Sequence, residues 1–162
     1  MIELRKLRED VDLTQDEVCA RTGIARPNLS AYENGRKTPS PETVERIRRA
    51  CRLRPSVALA RHSEQVVSIV HAHRGRAVKV FGSVARIEDR WDSDLDLLIE
   101  MEDGAGYFDI VRMVADLEKE LGVRVDVVPS SAVLSGSSPD DVDTHILAEA
   151  RPLEEVTRNH GA

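Results

Sequence analysis

Aromatic side chains are scarce in this chain of 162 residues: one Trp, two Tyr and two Phe. Its cores must therefore be built from Leu, Val, Ile and Ala. Long apolar runs are missing too. None approaches the roughly 18 residues of a membrane span, and the opening MIELRKLRED lacks the apolar stretch of a secretory signal. The two cysteines, Cys19 and Cys51, show no metal-ligand spacing and are expected to be small reduced thiols of a cytoplasmic protein. His71 and His73, two apart, would leave different sides of a helix and make poor co-ligands. Charge is what the chain has in quantity. At 32% charged and 41% hydrophobic it has a globular composition.

That charge is unevenly spread. Residues 1–60 carry 12 Lys/Arg against 9 Asp/Glu, whereas residues 61–162 carry 11 against 20. A basic first half can approach a polyanion directly; an acidic second half needs cations to do so. Two modules with different partners are implied, and we set them at residues 1–58 and 61–155.

The first module reads as short helices. Residues 2–10 place Ile2, Leu4 and Leu7 among charges. Thr14, with Glu17 three positions on, forms a capping-box pattern for a helix running to about Thr22. Gly23 supplies the freedom of a tight turn, and Pro27 suits the first turn of a third helix over 25–34. Leu29 and Tyr32 are expected inside, as are Val18 and Cys19 on the second helix. Pro39-Ser40-Pro41 breaks the chain before a fourth helix at 42–52. TQDEV, GI, NLSAYENG and TPSPETVERI stand in the order and spacing of the Cro/repressor-like (XRE-type) helix–turn–helix family, which this stretch resembles. The resemblance implies a recognition helix in the major groove, with Arg26, Asn28 and Ser30 as base readers. It also implies phosphate contacts from Gln15, Asn34, Arg36 and Lys37. The modest positive charge suggests salt-sensitive affinity and a homodimer on a two-fold operator.

The second module begins with a helical pattern through Val57, Leu59, Val66, Ile69 and Val70. Then comes AVKVF as a strand, Gly82-Ser83, a short helical stretch at Val84–Arg86, a charged turn, and SDLDLLIE as a second strand. Strict alternation puts Asp94 and Asp96 on one face of that strand and Leu95 and Leu97 on the other. Residues 107–121 have helical spacing through Phe108, Val111, Val114 and Leu117, closed by Gly122. VRVDVVP is a further strand, with Val123, Val125 and Val127 on one face and Arg124 and Asp126 on the other. Residues 130–141 read as a loop, 142–150 as a last helix, and the chain after Pro152 as a frayed tail. The predicted fold is thus an all-α bundle followed by a small α/β domain, with a short mixed sheet flanked by helices.

Burying carboxylates together is costly unless something positive sits between them. Asp94, Asp96 and Asp126 converging on one side of a sheet would form an oxygen-rich site for hard divalent cations. A strand ending in Gly-Ser at a helix start offers backbone N–H groups to phosphate.

Gly82-Ser83, ten residues, Asp94-x-Asp96 and a later Asp126 among valines resemble the nucleotidyltransferase superfamily related to DNA polymerase β, in particular its minimal (MNT) branch. Ile87 departs from the pattern, standing where relatives often carry Gly. The resemblance implies two Mg²⁺ ions held by Asp94, Asp96 and Asp126, and ATP as substrate. It further implies phosphate binding by Gly82 and Ser83, with Arg86 as the nearest neutralising cation. For the MNT branch it implies an antitoxin that transfers AMP to a tyrosine of a HEPN-type ribonuclease toxin, the two forming a hetero-oligomer. A helix–turn–helix module would then serve operon autoregulation. The other readings open at this point are a repressor whose transferase fold only senses nucleotide, and a transferase acting on a small molecule.

Overall fold

A computed structural model describes residues 3–134 and 142–158, and the chain folds as two units, Met1–Leu53 and Arg54–Ala162. The first unit holds α1 (Leu4–Glu9), α2 (Gln15–Thr22), α3 (Arg26–Glu33) and α4 (Pro41–Ala50). The capping box forms as the sequence predicts. Thr14 Oγ1 accepts the Glu17 N–H at 3.2 Å while Glu17 Oε2 accepts the Thr14 N–H at 2.7 Å. Gly23, at φ +71°, closes α2 in the left-handed conformation. Ser40 caps α4 through the Thr43 N–H. Leu4, Val18, Ile24, Leu29, Ile47 and Cys51 form the core, with Cys19 and Tyr32 at its edge. Each fully buried aliphatic side chain of this kind contributes roughly 1.5–3 kcal/mol. Ile2, expected on the first helix, lies outside the described residues.

The second unit runs α5 (Pro55–Arg61), α6 (Ser63–Ala72), β1 (Gly75–Phe81), α7 (Gly82–Ala85), β2 (Leu95–Met101) and α8 (Tyr107–Leu121). It continues through β3 (Val125–Pro129), α9 (Ser130–Leu134), α10 (Val142–Glu149), β4 (Arg151–Pro152) and α11 (Leu153–Arg158). The sequence reading sets the joint at residues 58–61; in the structure α5 packs with α6, α8 and α11 inside the second unit, which begins at Arg54.

The sheet has order β3-β2-β1-β4, with β2 parallel to β3 and the other pairs antiparallel, so it is mixed as predicted. Alternation along β2 buries Leu95, Leu97 and Ile99 completely. Val123 and Val125 are buried while Arg124 and Asp126 are exposed. Helix α6 approaches the sheet so closely at Gly75 that a Cβ there would overlap the Val70 side chain.

Three expectations need correction. On α8 the inward face is Met113, Leu117 and Leu121, whereas Phe108 and Val111 are exposed. The apolar residues of its first turn extend beyond the stripe that faces the sheet, so spacing alone misassigned them. Residues 130–134 of the expected loop are helical, and 135–141 lie outside the described residues. The chain after Pro152 is not frayed. β4 pairs with β1, Lys79 opposite Pro152 and Val80 opposite Arg151, and α11 buries Leu153 and Val156. A two-residue edge strand followed by one apolar pair gives too little periodicity to be read from sequence.

Candidate functional site

The Gly-Ser turn joins β1 to α7. Gly82 sits at φ +68°, and a Cβ on it would overlap the Asp96 carboxylate. Glycine is therefore required twice here, by backbone conformation and by the close approach of an acid. The turn is held by the Arg86 N–H on the Gly82 carbonyl at 3.2 Å and the Glu88 N–H on the Ser83 carbonyl at 2.9 Å. Ser83 itself is half-buried.

Register brings the acids together. Phe81 pairs with Asp96 across β1 and β2, and Asp96 pairs with Asp126 across β2 and β3. Partners in register project from the same face of a sheet, so the Asp96 and Asp126 carboxylates are neighbours. Asp94 precedes β2 by one residue, and the Leu95 N–H on the Arg124 carbonyl at 2.9 Å starts the parallel ladder just after it. Burial pushes the Asp96 carboxyl up to about 6, the charges of Asp126 and Asp94 push in the same direction, and Arg86 pulls it back.

The sequence resemblance implies a divalent ion, and these residues fit one in chemistry. They supply the Asp96 and Asp126 carboxylates in register, with the Asp94 charge acting on Asp96, beside a glycine cradle that a side chain would fill. Their side chains do not close on a single point. Among the described residues no three His, Cys, Asp or Glu groups are posed to hold a metal together.

Arg86 is engaged from two sides. Its Nε meets Glu88 Oε2 and its Nη1 meets Glu149 Oε2, both at 2.9 Å. Ile87 adopts φ +62° and is 59% exposed, so it holds a backbone conformation that favours Gly. Asp89, which the sequence presents as one more acid in a charged turn, has a fully buried side chain. It accepts from Arg54 Nη2 at 3.0 Å and from the Ser56 N–H at 2.9 Å. Nothing in the spacing signals it, because its partners lie more than thirty residues earlier.

In the first unit α3 exposes Arg26 and Asn28, with Ser30 half-buried. Among the described residues each expected DNA-facing side chain but Arg36 has a protein partner. Arg26 meets Asp16 at 3.2 Å, Asn28 accepts from Lys37 at 3.4 Å, and Asn34 Nδ2 donates to the Ser30 carbonyl at 2.8 Å and to Ser30 Oγ at 3.3 Å. Arg36 is exposed. Gln15 is half-buried and donates to Glu33 Oε2 at 2.8 Å. The Glu33 side chain, 1% exposed, also receives one edge of the Arg8 guanidinium, from Nε at 2.8 Å and from Nη2 at 3.1 Å. Arg5 extends the cluster by donating to Asn34 Oδ1 at 2.6 Å. Nothing in the spacing signals the Glu33 pair, because its partner Arg8 lies 25 residues earlier.

The nucleotidyltransferase domain family matches residues 60–151. The chain belongs to that family. A helix–turn–helix domain family matches residues 2–61 of this nucleotidyltransferase. The protein adenylyltransferase MntA of Thermococcus cleftensis is 36% identical over 81 residues, 45% of this chain and 82% of that protein. A helix–turn–helix transcriptional regulator of Methanothermobacter thermautotrophicus is 40% identical over 47 residues, 29% of this chain and 68% of that one. A solved structure assigned as a minimal nucleotidyltransferase has 42% identity and a TM-score of 0.51, over 60% of this chain and 94% of its own. The nucleotidyltransferase thus carries a helix–turn–helix unit before its catalytic fold. Among its described residues no helix is long and apolar enough to cross a membrane.

Proposed function

We propose that the protein is an MNT-type antitoxin that transfers AMP from ATP to a tyrosine of a HEPN-type ribonuclease toxin and represses its own operon through the first unit. The carrying observation is the register of Asp96 with Asp126, directly beside the glycine of the Gly-Ser turn. The similarity to a protein adenylyltransferase supports a protein acceptor. The helix–turn–helix match supports an operator.

Asp94, Asp96 and Asp126 would hold Mg²⁺. When bound, the metal neutralises the triphosphate and makes an incoming hydroxyl more acidic. The chain's own groups do the rest. Gly82 leaves room for the Asp96 carboxylate against the turn, and Ser83 and the N–H groups that follow orient the β- and γ-phosphates. Arg86, on release from Glu149, adds a positive charge beside them. The acceptor oxygen bonds to the α-phosphorus as the bond to the β-bridging oxygen breaks. Pyrophosphate departs, and the hydroxyl proton passes to a carboxylate oxygen of Asp126. In the first unit Arg26, Asn28 and Ser30 would meet base edges, with Gln15, Asn34, Arg36 and Lys37 along the phosphates of a two-fold site.

The test is incubation with α-labelled ATP, Mg²⁺ and the toxin encoded beside it. Label on a toxin tyrosine is the expected result. Operator binding with label on neither protein would leave a repressor instead, and label on an added aminoglycoside would leave a small-molecule transferase.

A further inference from the structure

The loop from Arg86 to Ser93 links the Gly-Ser turn to the first acid of the site. Its two ends are locally fixed. On one side the N–H groups of Arg86, Ile87 and Glu88 donate to the carbonyls of Gly82, Val84 and Ser83, at 3.2, 3.2 and 2.9 Å. On the other, the Arg90 N–H donates to Ser93 Oγ at 2.9 Å and the Ser93 N–H to the Arg90 carbonyl at 3.1 Å, closing a turn that delivers Asp94. Asp89 stands between the two. Its carboxylate leaves the loop and enters the start of α5, where both oxygens are used, one by Arg54 Nη2 and one by the Ser56 N–H. A carboxylate is kept fully buried only when it is so paired, and once paired it fixes the backbone that carries it.

We infer that Asp89 is a positioning residue for nucleotidyl transfer: through Arg54 and Ser56 it anchors the loop that sets Asp94 against the Gly-Ser turn. The inference rests on the metal site of the proposed reading and is independent of the acceptor. The ion pair has a second property, because Arg54 directly follows Leu53, the last residue of the first unit. The first side chain of the catalytic unit is therefore the one that holds the catalytic loop.

The experiment measures Mn²⁺ affinity by the resonance signal of the free ion, with the full chain and no acceptor, alongside a folding check by circular dichroism. Asp89→Asn should weaken Mn²⁺ binding about tenfold, the lower end of what loss of an outer partner costs a metal site. Arg54→Gln removes the other half of the pair at a side chain that is 45% exposed, so it keeps the test available should Asp89→Asn not fold. It should give the same loss, and the double variant should lose no more than either single one. Ser56→Ala deletes a buried hydroxyl that has no hydrogen-bond partner among the described residues and leaves the backbone N–H in place, so it should not change Mn²⁺ affinity. Unchanged affinity in folded Arg54→Gln, or losses that simply add, would overturn the inference. So would a wild-type chain that binds no Mn²⁺. Absence of label on the toxin, with Mn²⁺ binding altered as described, would instead count against the acceptor alone.

Discussion

Two acids drawn out of water, one in each unit, meet opposite fates. In the first, Glu33 is almost wholly inside, yet both its oxygens are occupied by Arg8 and Gln15, with Arg5 near. Burial by itself would raise its pKa, but the hydrogen bonds from Arg8 and Gln15 and the charges of Arg8 and Arg5 outweigh burial and hold it below its ordinary value. In the second, Asp96 is half-buried beside two more acids and is pushed up to about 6. One acid is a completed structural joint. The other is an unbalanced charge in a position where balance must come from a ligand, which is what sets a site apart from a scaffold.

The sharpest way to break this comparison is Asp96→Asn. Loss of a carboxylate from the metal site should lower transfer by on the order of a hundredfold or more. The same substitution should stabilise the ligand-free protein. The folded pKa of Asp96 lies above its ordinary 3.8, so between about pH 4 and 6 the folded state binds more protons than the unfolded one. Stability contributed by this group therefore falls as pH rises through that window, and the deficit is complete above it. Because the side chain is half-exposed, solvent screening reduces the gain on removing the charge to about 1 kcal/mol. Thermal unfolding with chelator at pH 5 and pH 8 measures it. No rise in stability at pH 8 would show that Asp96 is not strained.

Glu33→Ala should do the reverse. It leaves the Arg8 guanidinium, 13% exposed, with the Leu13 carbonyl and the more distant Glu9 but without its buried carboxylate, and should cost about 3 kcal/mol. Since Glu33 is depressed below its ordinary 4.5, the wild-type contribution is present above that value and is lost as pH falls through the folded one. Hydrogen exchange resolved onto the two units should show the loss in residues 1–53. Equal loss in the second unit would mean that the units do not fold independently.

Arg26→Ala tests the division of labour. The side chain is exposed and its ion pair with Asp16 is solvated, so stability should hardly change. Operator affinity should fall by roughly 1–3 kcal/mol, with sequence preference relaxed. Transfer of label should be unaffected, and a parallel drop in transfer would join the two functions.

Much of this contrast was legible in the chain itself, because it depends on local order. The Thr14–Glu17 cap, the Gly23 turn, the alternation around Asp94 and Asp96, and Asp126 among valines are all set by spacings of a few residues, and periodicity reports those directly. What stayed hidden depends on distant partners. Glu33 needs Arg8, Asp89 needs Arg54, and β4 needs β1. A charged residue in a turn looks the same in sequence whether it is solvated or buried against a cation thirty residues away. Only register and packing distinguish the two cases.

Ile87 gives the smallest effect and the finest test of where strain resides. A β-branched residue at φ +62° brings its side chain against its own backbone. Its side chain is 59% exposed, so little packing compensates for the strain. Ile87→Gly should remove a local cost of roughly 1–2 kcal/mol, set against the added freedom of glycine in the unfolded chain, for a net gain of about 1 kcal/mol. If strain in the second unit is concentrated at Asp96, that gain should add to the gain from Asp96→Asn in a double variant, since the two have different causes. Stability gains that fail to add would instead place Ile87 and Asp96 in one coupled device, with the shape of the loop and the charge of the site stabilising each other.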